Sequence, residues 1–272
     1  MPVPLIDHVI VNARDKLDAV ASRYAQLGFT LTPRGHHTLG SINNLAVLGT
    51  DYIELLGVPP GQERTDVLDW PAGLNGLAFK TNDSDVLYAE LQAHGVPALP
   101  PQGFSRPVRL PDGSTRDAAF RTVRIEREAV AAGRAFFCDH QSPELVWTEA
   151  RSPHANGAVG LLGLLIAADD PGDLAGLFER MFGDRHVRRT ATGCMLVAGL
   201  ATIEVTTPMA LAARLGSAMP DPAGRAQFMA ALVLRTVSLD QVWAEVPEAV
   251  RFEHGLLVPA NAACGAALIF RE

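Results

Sequence analysis

The chain has 272 residues, of which 48% are hydrophobic, and a formal net charge of −7 at pH 7. This length fits one large domain or two ordinary ones, and the negative charge argues against a nucleic-acid-binding surface. The chain has no run of about 18 apolar residues, so no membrane-spanning helix is expected. Its N-terminus has no basic stretch followed by an apolar one, so no signal peptide is expected either. The three cysteines form no CxxC pair, so reduced thiols and a cytoplasmic location are expected.

The first sixty residues predict a strand, a helix and three further strands. Apolar residues at helical spacing favour a helix over residues 15–27, and Gly28 follows as its cap. The strands of this first unit are expected at 5–12, 29–32, 44–48 and 52–58, the last two forming a hairpin.

The same order then recurs. A strand is expected at 77–80, followed by a helix that Asp83 or Ser84 caps and Gly95 ends. A short strand at 96–98, a proline-rich loop at 100–111, and strands at 116–125 and 135–147 complete this second unit.

A linker is expected at 151–157, and two further units follow it. The third unit has strands at 162–168, 186–190, 194–198 and 201–207, with a helix at 171–182. The fourth has strands at 229–235, 250–257 and 266–270, with a helix at 238–246. Four βαβββ units at a period of roughly sixty to seventy residues are therefore predicted.

Three polar residues interrupt apolar strands: His8, Glu54 and Glu144. A histidine or carboxylate in such a strand costs free energy unless a partner satisfies it. Imidazole and carboxylate groups together can also begin a divalent-metal site. The alternatives are a core histidine at His8 and two glutamates that line a cleft without a metal.

The segments "IDHVIV", "LGF", "YIELLG" and "CDHQSPELVW" resemble the vicinal-oxygen-chelate superfamily, which includes glyoxalase I, extradiol dioxygenases and bleomycin-resistance proteins. "RGHHTLGSINNLAVLG" and "RSPHANGA" are similar to glyoxalase-like domain proteins of unassigned activity. The resemblance implies an α+β fold in which the four βαβββ units form two paired, curved mixed sheets. The two halves are expected at 1–150 and 158–272.

The resemblance also implies a site in the first half. His8, Glu54 and Glu144 would bind a divalent metal such as Zn, Ni, Fe or Mn, and Glu144 or Glu54 would move a proton. The fourth ligand position falls at Gly76, which has no side chain to offer. His140 is a candidate replacement, and a histidine on a surface turn is the simpler interpretation.

The remaining candidate residues for substrate binding are His37, Asn43, His140 and Arg121. Solvated strand charge is the alternative for Arg121. In the second half Gly163 stands where His8 stands in the first, and only Glu204 is retained, so this half is expected to serve as scaffold.

The expected function is the binding of a small oxygen-rich metabolite, with a metal-assisted lyase, isomerase or dioxygenase reaction. The alternative is a metal-free protein that binds or sequesters a small molecule. A small-molecule ligand is expected as partner, without nucleic acid or membrane. The sequence leaves the oligomeric state open, and a homodimer is one expectation.

Overall fold

The structure is a computed structural model that describes residues 1–110, 112–147 and 153–272. Three predicted segments fall partly outside these residues. They are the end of the proline-rich loop at residue 111, the end of the first half at 148–150, and the start of the linker at 151–152.

The first unit contains strands β1 (Ile6–Arg14), β2 (Gly35–His36), β3 (Ile42–Val47) and β4 (Tyr52–Gly57), with helix α1 (Leu17–Gln26) between β1 and β2. β1 and β4 are parallel neighbours, and β3 pairs antiparallel with β4. Helix α1 forms because its apolar residues recur at helical spacing, and it buries Leu17, Val20 and Tyr24.

The second unit repeats this order after a short helix, α2 (Thr65–Leu68). Its elements are β5 (Gly73–Thr81), α3 (Ser84–Ala93), β6 (Gln102–Arg109), β7 (Thr115–Arg124) and β8 (Arg134–His140). Asp83 caps α3, because its carboxylate accepts hydrogen bonds from two backbone N–H groups of the first turn. The eight strands form one mixed sheet in the order β2-β3-β4-β1-β5-β8-β7-β6.

The rest of the chain builds a second sheet of the same design. The third unit contains β9 (Ala158–Ala168), α4 (Pro171–Phe182), β10 (Val187–Thr190), β11 (Gly193–Ala198) and β12 (Ala201–Thr206). After helix α5 (Pro208–Leu215), the fourth contains β13 (Gln227–Thr236), α6 (Leu239–Glu245), β14 (Val250–Phe252), β15 (Gly255–Val258) and β16 (Ala267–Arg271). The strand order is β10-β11-β12-β9-β13-β16-β15-β14, so the predicted α+β fold of four βαβββ units in two sheets is confirmed.

Several element predictions are wrong in detail. Residues 29–32 are not a strand, and the predicted loop at 100–111 contains strand β6. The predicted strand at 135–147 ends at His140, and a short 3-10 helix, Pro143–Leu145, follows it. Proline at the first position of this turn has no N–H to continue the sheet ladder, so the strand stops before it.

The two sheets share one hydrophobic core. Phe79 of β5 packs on Phe182 of α4, with ring centroids 4.8 Å apart, and Phe29 lies 6.4 Å from Phe270 of β16. Residues of both sheets and of helices α1, α3, α4 and α6 belong to this core. The predicted halves at 1–150 and 158–272 therefore do not have separate cores. Their division into two domains stays a prediction.

The described part of the predicted linker holds the two sheets together. His154 uses both ring nitrogens on the first unit, at 2.9 Å from the backbone N of Thr30 and 3.0 Å from the carbonyl of Val47. Asn156 is fully buried and donates to the Leu27 carbonyl at 2.7 Å. Among the described helices, none is long and apolar enough to cross a membrane.

Candidate functional site

A cavity of about 70 Å³ opens on the face of the first sheet. Its walls combine the polar residues of unit one with arginines and aromatic rings of unit two. Its lining residues include His8, Ile10, His37, Asn43, Glu54, Arg64, Asp66, Phe104, Arg106, Phe120, Arg124, Arg134, Phe136 and Cys138.

An irregularity in β1 brings two polar residues onto this side of the sheet. Ile6 pairs with Phe79 and His8 pairs with Ala78, so Asp7 is an extra residue on β1. Such a bulge redirects side chains. The Asp7 Oδ1 atom lies 2.5 Å from His8 Nδ1 and 3.0 Å from His140 Nε2.

Asp7 fixes the orientation of both histidines. Burial raises the pKa of Asp7, but the hydrogen bonds with His140 and His8 outweigh burial and hold that pKa well below its usual range. An ionised carboxylate only accepts hydrogen bonds, so His8 Nδ1 and His140 Nε2 must carry the protons. His8 therefore presents Nε2 to the cavity, and its ring stacks on Tyr52 at 4.4 Å.

Glu54 lies opposite this nitrogen. His8 Nε2 and Glu54 Oε2 are 3.7 Å apart, and Asn43 Nδ2 donates to Glu54 Oε1 at 2.7 Å. Burial raises the pKa of Glu54, but His8, His37 and the Asn43 hydrogen bond lower it by more, so the net pKa is lowered. Glu54 is consequently an ionised carboxylate at neutral pH, although it is only 7% exposed.

His37 supports Asn43 from behind. Burial lowers the pKa of His37 to about 4, so its ring is neutral at pH 7. Its Nε2 lies 3.3 Å from Asn43 Nδ2 and its Nδ1 lies 2.9 Å from Ser41 Oγ. Because the Asn43 amide nitrogen can only donate, Nε2 of His37 accepts and Nδ1 carries the proton.

The structure brings together some of the predicted site residues and leaves others outside. His8, Glu54, His37 and Asn43 line one cavity, and His140 lies behind it, against Asp7. Their assigned roles remain predictions.

Glu144 and Arg121 lie elsewhere. Glu144 is 55% exposed and its carboxylate accepts from Arg116 at 2.8 Å, because the 3-10 helix turns it away from the sheet. Arg121 is bound at 2.6 and 2.8 Å by Asp85 of α3. His8 and Glu54 therefore meet in one cavity as expected, and Glu144 does not join them.

Strand register explains why unit two offers no matching ligands. His8 pairs with Tyr52 on the parallel neighbour, and Gly76 pairs with Arg134 in the same way. Glu54, two residues after Tyr52, therefore corresponds to Phe136. A Cβ atom added at Gly76 would lie 2.5 Å from the Ile10 Cβ, so no side chain fits there. The four-ligand arrangement implied by the resemblance does not fit these residues.

Another group of metal-ligating residues lies behind His8. Within the described residues, one ligand atom from each of Asp7, Cys138 and His140 lies within 4.8 Å of the others. The Asp7 carboxylate already accepts hydrogen bonds from two histidines. Burial, with Asp7 and Glu54 nearby, raises the pKa of the Cys138 thiol well above its usual value. Without a metal, the Cys138 thiol is therefore protonated at neutral pH.

The reasoning from sequence missed Asp7, which lies against His8, and the cavity residues Arg106 and Arg134. Asp7 precedes His8 within an apolar strand, so this Asp-His pair was a usable signal. Arg106 lay in a predicted loop and Arg134 just before a predicted strand, and charged residues are common in both places.

Comparison with known proteins now assigns the family. Residues 6–182 match the family described as "Glyoxalase-like domain", which is about two thirds of the chain. The chain belongs to the glyoxalase-like domain family. The superfamily resemblance drawn from the sequence is confirmed, and the matched segment of this glyoxalase-like protein contains every residue that lines the cavity.

Two solved structures share the fold along the whole glyoxalase-like chain. A hypothetical protein from Staphylococcus aureus aligns with a TM-score of 0.67 at 12% identity, over 99% of each chain. A mutant of 4-hydroxymandelate synthase from Streptomyces coelicolor aligns with a TM-score of 0.60 at 13% identity, over 100% of this chain and 94% of the other. At such identities the likeness shows the fold alone. No curated protein matches the sequence.

In the second sheet of this glyoxalase-like protein, helix α5 packs at the positions that correspond to His8 and Glu54 of the first. By register, Gly163 and Glu204 correspond to His8 and Glu54. Arg214 of α5 donates to Glu204 at 2.9 Å. Leu211 of the same helix is buried in an apolar cluster with Leu165, Phe228 and Ile269, so α5 packs against this sheet.

Proposed function

We propose that this glyoxalase-like protein binds a small oxygen-rich metabolite in the first-half cavity and moves a proton on it, as a lyase or isomerase does. The observation that carries the proposal is the arrangement Asp7–His8–Glu54, with distances of 2.5 and 3.7 Å between the partners. A base held in one orientation by a third group is the usual design of a proton-transfer site.

The roles of the two groups follow from their surroundings. His8 in its neutral form presents the Nε2 lone pair to the cavity, because Asp7 holds the proton of Nδ1. Glu54 is ionised and accepts from Asn43 on one oxygen only, which leaves Oε2 available. One of the two bases takes a proton from a substrate carbon and, in its protonated form, returns that proton to a neighbouring atom of the substrate, which is an isomerisation.

A metal is not needed for this proposal. The donor set that the resemblance implies lacks two of its members, since Gly76 and Phe136 occupy the corresponding positions and Glu144 lies outside. This difference favours a metal-free reaction. The second candidate, a metal-free binding protein without turnover, is favoured by the hydrogen-bond network through Asn43, which also suits passive recognition.

The test is proton exchange in deuterated water, followed by NMR. Small hydroxy and oxo acids and their neutral analogues are incubated with the wild-type protein and with variants. We expect His8→Gln and Glu54→Gln to slow exchange by about 10²- to 10⁴-fold. Glu204→Gln is the matched control, because Glu204 occupies the corresponding position of the second sheet, and it should leave exchange unchanged.

Four outcomes would overturn the proposal. Full exchange in folded His8→Gln and Glu54→Gln would exclude these residues, and loss of exchange in Glu204→Gln would place the site in the second half. A stoichiometric metal in tag-free protein purified without chelator, lost in His8→Gln, would restore the metal-assisted reaction. Tight binding without exchange for any compound would favour the binding protein.

A further inference from the structure

The cavity carries more positive charge than its acids balance. Four arginines line it, Arg64, Arg106, Arg124 and Arg134, against the carboxylates of Glu54 and Asp66. Arg64 is committed: it donates to Asp66 at 2.7 Å through two nitrogens and to the Leu39 carbonyl through the third. The surplus therefore lies with the other three arginines.

Arg106 and Arg134 have guanidinium groups without partners. Within residues 1–110, 112–147 and 153–272, neither guanidinium group forms a hydrogen bond or an ion pair, and that of Arg134 lies over the Phe136 ring, 6.0 Å from its centroid. Arg106 is only 7% exposed. Burial lowers the pKa of both side chains, with Glu54 opposing it. Arginine nevertheless stays protonated in proteins.

A buried cation without a partner destabilises the folded protein. The presence of two such arginines in the cavity therefore points to a ligand that supplies the negative charge. We infer that the ligand is a small carboxylic acid whose carboxylate is bound by Arg106 and Arg134. This inference rests on the proposed function and names the substrate class of the same site. A guanidinium matches a carboxylate with two parallel hydrogen bonds.

The size and the remaining charge of the cavity narrow the class. A space of about 70 Å³ holds on the order of five to seven water-sized groups, which suits acids of three or four carbons. Phe104 and Phe120 stack at 5.2 Å and give one wall an apolar surface for the carbon skeleton. Ionised Glu54 repels a second negative charge, which disfavours phosphate relative to a monocarboxylate.

The first measurement is calorimetric binding with the full-length protein. Lactate and pyruvate are compared with lactamide, the neutral analogue of lactate, and with inorganic phosphate. We expect each carboxylate to bind at least tenfold more tightly than lactamide or phosphate. Arg106→Gln and Arg134→Gln should each weaken carboxylate binding at least tenfold, since each removes a charge-assisted contact. Arg189→Gln is the control and should have no effect, because Arg189 lies on β10 of the second sheet and pairs with Glu179 of α4.

The second measurement is stability without ligand. Removing a buried unpaired charge should raise the Tm of Arg106→Met and Arg134→Met above wild type, while Arg189→Met should not. A merely structural arginine would give the opposite sign. Arg134→Lys keeps the charge and should retain more carboxylate affinity than Arg134→Gln, which separates charge from folding defects.

The inference is overturned if lactamide or phosphate binds as tightly as lactate, or if neither arginine variant changes carboxylate affinity. Its failure is distinct from failure of the proposed function. If His8→Gln stops proton exchange but carboxylate and amide bind equally, only the inference fails. If the arginines select carboxylates but His8→Gln and Glu54→Gln leave exchange intact, only the proposed reaction fails.

Discussion

Replacing Asp7 by asparagine tests the hydrogen-bond network behind the cavity. Asp7 is 1% exposed and accepts from His8 and His140 at once. Hydrogen bonds to a charged group contribute about 1.5–3 kcal/mol each. The asparagine oxygen can still accept from one histidine. We therefore expect Asp7→Asn to lower the free energy of unfolding by about 2–4 kcal/mol at pH 7.

The pH dependence has a definite sign. The pKa of Asp7 is lower in the folded protein than its ordinary value of 3.8. The stabilisation is therefore complete above about pH 4 and is lost as the pH falls further. The difference between wild type and Asp7→Asn should be constant from pH 5 to 8 and should shrink below pH 4.

The assay is urea unfolding at several pH values, with ¹⁵N NMR of the His8 ring to identify the protonated nitrogen. The wild type should carry its proton on Nδ1, and Asp7→Asn should lose that preference. Asp85→Asn is the control, because Asp85 pairs with Arg121 at the surface, where ion pairs contribute little. The reasoning is refuted if Asp7→Asn is as stable as Asp85→Asn and His8 keeps its tautomer.

Three further predictions concern the pH dependence of stability and the packing beside the cavity. Burial lowers the pKa of His37 to about 4, so stability should rise between pH 4 and 6.5 by at most about 3 kcal/mol; urea unfolding of His37→Phe should lack this rise. Burial raises the pKa of Asp51 to about 6, so the contribution of Asp51 to the free energy of unfolding falls as the pH rises from 3.8 to 6. At pH 7, urea unfolding of Asp51→Asn should give a free energy of unfolding about 1–2 kcal/mol higher than that of the wild type. A Cβ at Gly35 would lie 2.2 Å from Asn43 Oδ1 and 3.0 Å from Arg106 Cδ, so calorimetry should show at least tenfold weaker ligand binding in Gly35→Ala.

The fold could be predicted because its signals are local. Apolar runs marked most of the strands, and a cap such as Asp83 or a terminal glycine such as Gly28 marked the helices. Strand β6 was missed because Pro107 lies inside it. β6 is at the edge of its sheet, where proline is tolerated on the side that has no neighbour. Edge position is a property of the whole sheet and is not written in the segment itself.

The site was harder to predict because its decisive features depend on tertiary structure. His8 and Glu54 were found from polar residues in apolar strands, and the register of β1 and β4 brings them together. Glu144 was placed by likeness to a closing strand, but the turn at Pro143 directs it outward. Asp7 joins the site through a bulge, and the arginines become notable only when their burial and lack of partners are known.

The two units of the first sheet supply different parts of the proposed site. Unit one provides His8 and Glu54, which face each other across 3.7 Å. In unit two the matching positions are Gly76 and Phe136, and Arg134 lies two residues before Phe136. In the proposed site, the positive charge that a divalent metal would bring to an oxyanion comes from Arg134 and from Arg106 of β6, which line the same cavity. Guanidinium groups are fixed in place and bind no hydroxide, so they suit a site that must hold a carboxylate while a separate base moves the proton.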